Sequence, residues 1–154
     1  MEISDLITPA TVIPALKVTS KKQALQELAR LSAEITSLDE RTVFEILVER
    51  ERLGTTGVGG GVAIPHGKHA GLDRLYGLFA RLEQPVDYDS IDEQPVDLIF
   101  LLLAPEAAGA DHLKALARVS RKLRDRDTCE KLRGSESADA LYALLTDTTA
   151  INAA

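Results

Sequence analysis

The run from Val96 to Pro105, VDLIFLLLAP, is apolar at almost every position. A strand with one wet face alternates apolar and polar residues, whereas a strand covered on both faces does not. The run is too short for a buried helix and is bracketed by Pro95 and Pro105, so it reads as a central strand. A chain organised round it needs a layer on each face. Helical patterns stand both before and after it, and strict strand–helix alternation is missing. The expected fold is therefore α/β, one domain over residues 1–154, with a mixed sheet flanked by helices on both faces.

The flanking patterns are specific. Residues 20–36 begin with Ser20 and Gln23 in capping-box spacing and carry Leu25, Leu28, Leu31 and Ile35 on one face. A second helix is expected to open with a box from Ser37 to Glu40, to bury Val43, Phe44, Leu47 and Val48, and to stop at Gly54. Short strands are expected at Val62–Ile64, ended by Pro65, and at Tyr76–Leu82, with an edge strand at Val12–Ala15. After the apolar run, Asp111 is expected to cap a helix turning Leu113, Leu116, Ala117, Ser120 and Leu123 inward. Shorter helices follow near 128–133, ended by Gly134, and near 137–146.

Composition narrows the function. The 154 residues carry a net charge of −6, which argues against nucleic acid or an anionic membrane as the main partner. The apolar run is far too short to span a bilayer. The start, MEISDLITPATVIP, has neither a basic nor an apolar signal-peptide region. Cys129 is the one cysteine, which fits a reducing compartment, and it is expected to be a half-buried helix residue with no redox role. The expected setting is the cytoplasm, without membrane insertion.

Chemistry concentrates between Gly54 and His69, GTTGVGGGVAIPHGKH. It is not a Walker loop, because Gly67-Lys68 is followed by histidine and position 62 is valine. The dinucleotide pattern also fails at Val62, and the loop precedes a strand where that pattern follows one. A metal set from His66, His69 and His112 lacks both a local carboxylate and the helical spacing of paired ligands, so no metal is expected. What remains is a loop whose glycines let the backbone wrap closely, then a histidine between Pro65 and Gly67. Two readings stay open on the residues alone: a surface turn with a histidine ending a strand, or an imidazole presented in a depression as nucleophile or ligand.

At ERERLGTTGVGGGVAIPHGK the sequence resembles the enzyme IIA domains of the bacterial phosphotransferase system, mannitol/fructose superfamily, nitrogen-related (PtsN-type) branch. The likeness extends through ISDLITPATV, SKKQALQELA and DHLKALARVSRKLRD. It implies a mixed sheet flanked by helices and a phosphoryl group carried on His66. It further implies that His112 lines the site and that Arg50 lies beside the phosphohistidine. Thr55, Thr56 and the amides of Gly59, Gly60 and Gly61 are expected to help hold phosphate, Lys68 to be a rim charge and His69 a solvated loop residue. Val58, Val62 and Ile64 are expected to form an apolar rim. The implied donor is an HPr-like phosphocarrier, charged in turn by enzyme I. The implied targets are regulated proteins such as potassium-transport or sensor-kinase components, and no cofactor is implied. Two other functions are compatible with the resemblance: a fructose- or mannitol-type IIA component passing phosphate to a IIB domain, and a regulatory module that only binds.

Overall fold

The computed structural model describes residues 1–147. The elements run β1 (Val12–Leu16), α1 (Lys21–Thr36), α2 (Glu40–Arg52), β2 (Gly57–Gly59), β3 (Val62–Ala63), β4 (His66–His69), β5 (Tyr76–Val86), β6 (Val96–Pro105), α3 (Ala110–Arg124), α4 (Arg126–Arg133) and α5 (Ala138–Thr146). The sheet order is β1-β5-β6-β3-β2, with β4 also on β6. β5 runs antiparallel to β6; β3 and β4 run parallel to it.

β6 is the buried centre that its composition demands. Ile99, Leu101 and Leu103 belong to one core with Leu25, Leu28, Val43 and Leu47 of α1 and α2. Leu98, Phe100 and Leu102 belong to the other, with Val119, Leu132 and Leu141 of α3, α4 and α5. The alternation of side chains along one strand thus feeds two apolar layers. The mixed sheet between helices agrees with the expectation.

Several local expectations need correction. Ser37 does not open α2: it ends α1 in the left-handed region, φ 63°, and Asp39 caps α2 by accepting the Thr42 amide at 3.3 Å. Asp and Ser are near-equal caps, so spacing alone could not choose between them. Ser20 does cap α1, accepting from Gln23 N at 3.1 Å, but the Gln23 side chain accepts from the amide and hydroxyl of Thr19. Pro65 interrupts a strand without ending it. Val62 pairs with Leu98, Ala63 with Ile99 and His66 with Leu102, one unbroken register across the gap. Pro65 has no N–H to give, yet its carbonyl accepts from Leu102 N at 3.0 Å. The glycine loop is itself a hairpin, β2 against β3, turned by Gly60 (φ 67°) and Gly61 (φ 79°). α3 has no side-chain cap, and its inward stripe is His112, Ala115, Val119, Lys122 and Leu123. Leu113 stands 69% exposed because the stripe includes a histidine and a lysine that an apolar count passes over. Cys129 is fully buried, its Sγ donating to Leu123 O.

Candidate functional site

β4 begins with His66. Its Nδ1 lies 2.8 Å from the Ile64 carbonyl, which can only accept, so Nδ1 carries the proton and Nε2 keeps its lone pair. Arg50, in the last turn of α2, donates from Nε to that Nε2 at 3.2 Å and from Nη1 to Gly54 O at 2.9 Å. Arg50 belongs to none of the ion pairs among the described residues, so its charge has no carboxylate in contact. The His112 ring meets that of His66 edge-on, centroids 5.6 Å apart.

Both imidazoles are held neutral. Burial lowers the pKa of His66 and the Arg50 charge adds to this, while the bond to Ile64 and the nearby Glu51 oppose it. Burial pushes His112 down to about 4, with smaller contributions from His66 and Lys68. His112 is buried, and its Nδ1 has no hydrogen-bond partner among the described residues.

A depression of about 450 Å³ opens over these groups, lined by Arg50, Leu53, His66, Lys68, His112 and Leu113 among others. A smaller one of about 200 Å³ adjoins it, where Thr55 and Thr56 meet Arg50 and His66. The apolar rim is Leu53, 85% exposed, and Leu113, together with Val58. Val62, expected at the rim, is buried in the core instead, because β3 packs between β2 and β6, while Ile64, also buried, lines the smaller depression. A neutral imidazole whose unprotonated nitrogen is aimed by an arginine N–H, beside further N–H donors of that cation, suits attack on an electrophile that bears negative oxygens.

Residues 5–148 match the family described as "Phosphoenolpyruvate-dependent sugar phosphotransferase system, EIIA 2". The chain belongs to this family. The IIA chain is 63% identical over 145 residues to a "Nitrogen regulatory protein" of Bradyrhizobium diazoefficiens, covering 94% of this chain and 95% of that one. It is 40% identical over 149 residues to a protein of the same description from Escherichia coli, covering 96% and 91%. In structure it resembles the nitrogen regulatory protein IIA-Ntr of Neisseria meningitidis, with a TM-score of 0.90 and 40% identity over 94% of this chain and 99% of that one. These likenesses put the IIA chain in the nitrogen-related branch, as a phosphotransferase-system phosphocarrier.

The remaining expected site residues divide. Gly59, Gly60 and Gly61 stand apart from His66, at the hairpin tip, where Gly59 and Gly60 line a different cleft of about 590 Å³ with Asp92 and Arg133. The Gly60 amide is already bonded to Asp92 Oδ2 at 3.0 Å, and the Gly60 carbonyl accepts from Arg133 Nη2 at 2.7 Å. Thr55 and Thr56 reach the site, but their hydroxyls are committed. Thr55 Oγ1 donates to Tyr88 O and accepts from Gly57 N; Thr56 Oγ1 meets Glu51 and the Tyr88 hydroxyl. His69 closes β4, its Nδ1 accepting from Gly71 N at 2.8 Å. Among the described residues no His, Cys, Asp and Glu side chains are grouped as a metal would require, and no helix is long and apolar enough to cross a membrane.

The sequence reading passed over Glu51, Lys21 and Tyr88, which lie under the IIA site. Glu51 sits between two arginines in ERER, so it reads as one more solvated helix charge. Nothing in that local pattern shows that Lys21, 30 positions earlier, and Tyr88, far downstream, close over it.

Proposed function

We propose that the chain accepts a phosphoryl group on Nε2 of His66 from an HPr-like phosphocarrier of the nitrogen branch, itself charged by enzyme I. In this reading the chain acts in the cytoplasm as one IIA domain over residues 1–154 and controls target proteins according to its phosphorylation state. The observation that carries the reading is the pair of bonds fixing His66: Nδ1–H on Ile64 O and a lone pair at Nε2 facing Arg50.

The step balances simply. The Arg50 Nε–H turns from Nε2 to a phosphoryl oxygen, the released His66 Nε2 lone pair attacks phosphorus, the P–N bond to the donor imidazole breaks, and the donor ring keeps that electron pair. The proton stays on Nδ1, and its hydrogen bond to the Ile64 carbonyl stabilises the positive charge that the ring acquires. A phosphoryl transition state spreads negative charge over three oxygens, so aimed donors provide much of the acceleration. Arg50 has N–H groups left after its two bonds, and His112 stands in the first turn of α3, where the helix end favours an anion.

The phosphorylated site then presents about two negative charges inside a rim of exposed leucines. A target that packs apolar surface over Leu53 and Leu113 would bury that charge and be released, whereas one that offers arginine would bind tighter.

A mixture of phosphoenolpyruvate, enzyme I, the HPr-like protein and this chain tests the reading. Label stable in base, lost in acid and absent from His66→Ala is expected. Label retained by His66→Ala would overturn the site. Transfer to a purified sugar-specific IIB would instead favour the sugar-pathway function.

A further inference from the structure

Beneath the depression lies a polar group that the transfer step above does not use. Glu51 follows Arg50 in α2, and the turn of the helix sends consecutive side chains about 100° apart. Arg50 points at His66; Glu51 points away, with its side chain only 8% exposed. Its Oε1 accepts from Lys21 Nζ at 2.9 Å and from the Thr56 amide at 3.0 Å, and its Oε2 accepts from the Thr56 hydroxyl. Tyr88, fully buried, bonds that hydroxyl at 3.1 Å, and Lys21 Nζ stands 4.6 Å over the Tyr88 ring. A buried carboxylate is tolerated only when its lone pairs are filled and its charge is matched. Here both conditions are met by residues from α1, from the segment after α2 and from the segment after β5.

Thr56 is the link to the chemistry. Its carbonyl accepts from Ile64 N at 3.0 Å, and the Ile64 carbonyl in turn accepts from the His66 Nδ1–H. Glu51 therefore stands at the head of a short hydrogen-bonded series: Glu51 to the Thr56 peptide, the Thr56 peptide to Ile64, and Ile64 to the imidazole. The same clamp fixes the stretch carrying Gly54, whose carbonyl orients Arg50. Pro65, between Ile64 and His66, stiffens the last joint.

We propose that Glu51, with Lys21 as its counter-ion and Tyr88 as its roof, is a positioning residue that sets the tautomer and aim of His66. The proposal rests on His66 being the phosphoryl acceptor, but its primary readout does not need phosphate. Thr56, expected from the sequence to hold phosphate, acts here through its backbone.

The test is ring-nitrogen NMR of His66 in the unphosphorylated chain, compared with phosphoryl-acceptance rates. The wild type should show one tautomer, protonated at Nδ1. Glu51→Ala should show mixed tautomers and accept phosphate on the order of 10²-fold more slowly, the scale of a misplaced reacting group. Glu51→Gln keeps an acceptor for the Thr56 amide and a donor for its hydroxyl, so it should restore the single tautomer and most of the rate. If Glu51→Ala does not fold, Glu51→Asp, one methylene short of Thr56, takes its place with the same expected change. A single Nδ1–H tautomer and an undiminished rate in the Ala or Asp variant would overturn the proposal. Failure of the wild type to label at His66, with the tautomer still responding to Glu51, would overturn the carrier reading and leave the positioning role standing.

Discussion

Two regions of this molecule pair an arginine with the glycine-rich segment, and they use it in opposite ways. At the hairpin tip Arg133 meets Asp97 through Nε and Nη2 at 2.8–3.1 Å and bonds the Gly60 carbonyl, while Asp92 takes the Gly60 amide. Every charge there is answered by another charge or a backbone dipole. At the His66 depression Arg50 bonds only a neutral ring nitrogen and a neutral carbonyl. A cation whose neighbours are neutral still attracts an incoming anion; one bound by a carboxylate has spent that attraction on the fold. Glycine richness made both regions resemble a phosphate cradle in the sequence, and the placement of carboxylates separates them.

Exchanging the arginines tests that contrast most sharply. Arg50→Ala is expected to slow phosphoryl acceptance by about 10²–10³-fold, the scale of losing one aimed donor in a transition state, with little change in unfolding midpoint. Arg133→Ala should do the reverse: an unchanged transfer rate, and a stability loss of about 1.5–3 kcal/mol for a charge-assisted pair. Denaturant titration and single-turnover labelling of both variants measure the two axes. Slowed transfer in Arg133→Ala would join the hairpin tip to the His66 depression and break the comparison.

Paired glycine substitutions sharpen it at smaller amplitude. A Cβ at Gly67 would collide with Cγ2 of Ile46, which lies one helical turn before Arg50 on α2. Ile46 branches at Cβ and has little rotamer freedom in a helix, so the clash is expected to push α2 from β4: Gly67→Ala should cost about 1–3 kcal/mol as overpacking does and should also slow transfer by drawing Arg50 from His66. Gly60 has open space around its missing Cβ but a φ of 67°. Gly60→Ala should therefore cost only the left-handed strain, about 1–2 kcal/mol, and leave transfer alone. Equal rates in the two variants would show that the α2–β4 spacing does not set the site.

How much of this was legible beforehand follows the same line. β6 declared itself because burial on both faces leaves an unbroken apolar run, and α1 because its cap and stripe agree. His66, Arg50 and His112 were reached through a resemblance to a family, and the structure brings all three side chains together. The cap of α2 was not legible because Ser37 and Asp39 compete on equal chemistry, and the inward face of α3 was not because it carries a histidine and a lysine. Glu51 was invisible because its partners come from α1 and from beyond β5, a closure that local spacing does not encode. The hairpin in the glycine segment escaped notice because β2 is Gly-Val-Gly and β3 only Val-Ala, too short to present a pattern to count.

Acid should separate the two regions last and most gently. His112 titrates at about 4 when folded against 6.5 for an ordinary histidine, and His66 is lowered in the same direction. Between those values the unfolded chain binds a proton that the folded site refuses, so stability must fall as pH drops from about 6.5 toward 4 and change no further, from this source, below that. The hairpin tip behaves otherwise. The amides of Gly60 and Gln94 hold the Asp92 carboxyl below its ordinary 3.8, so its contribution is intact throughout the histidine window and is lost only as pH falls through that lowered value. Unfolding free energies measured from pH 7.5 to 4.5 should decline in the wild type and decline less in His112→Gln, which has nothing to protonate at that position. Asp92→Asn should leave the slope over that range unchanged. The His112 ring signals should stay at their neutral positions until the solution nears pH 4. A wild type and His112→Gln that lose stability in parallel, or a His112 ring that titrates near 6.5, would show that burial does not hold this imidazole neutral, and its place beside His66 would then have to be explained as a cation's.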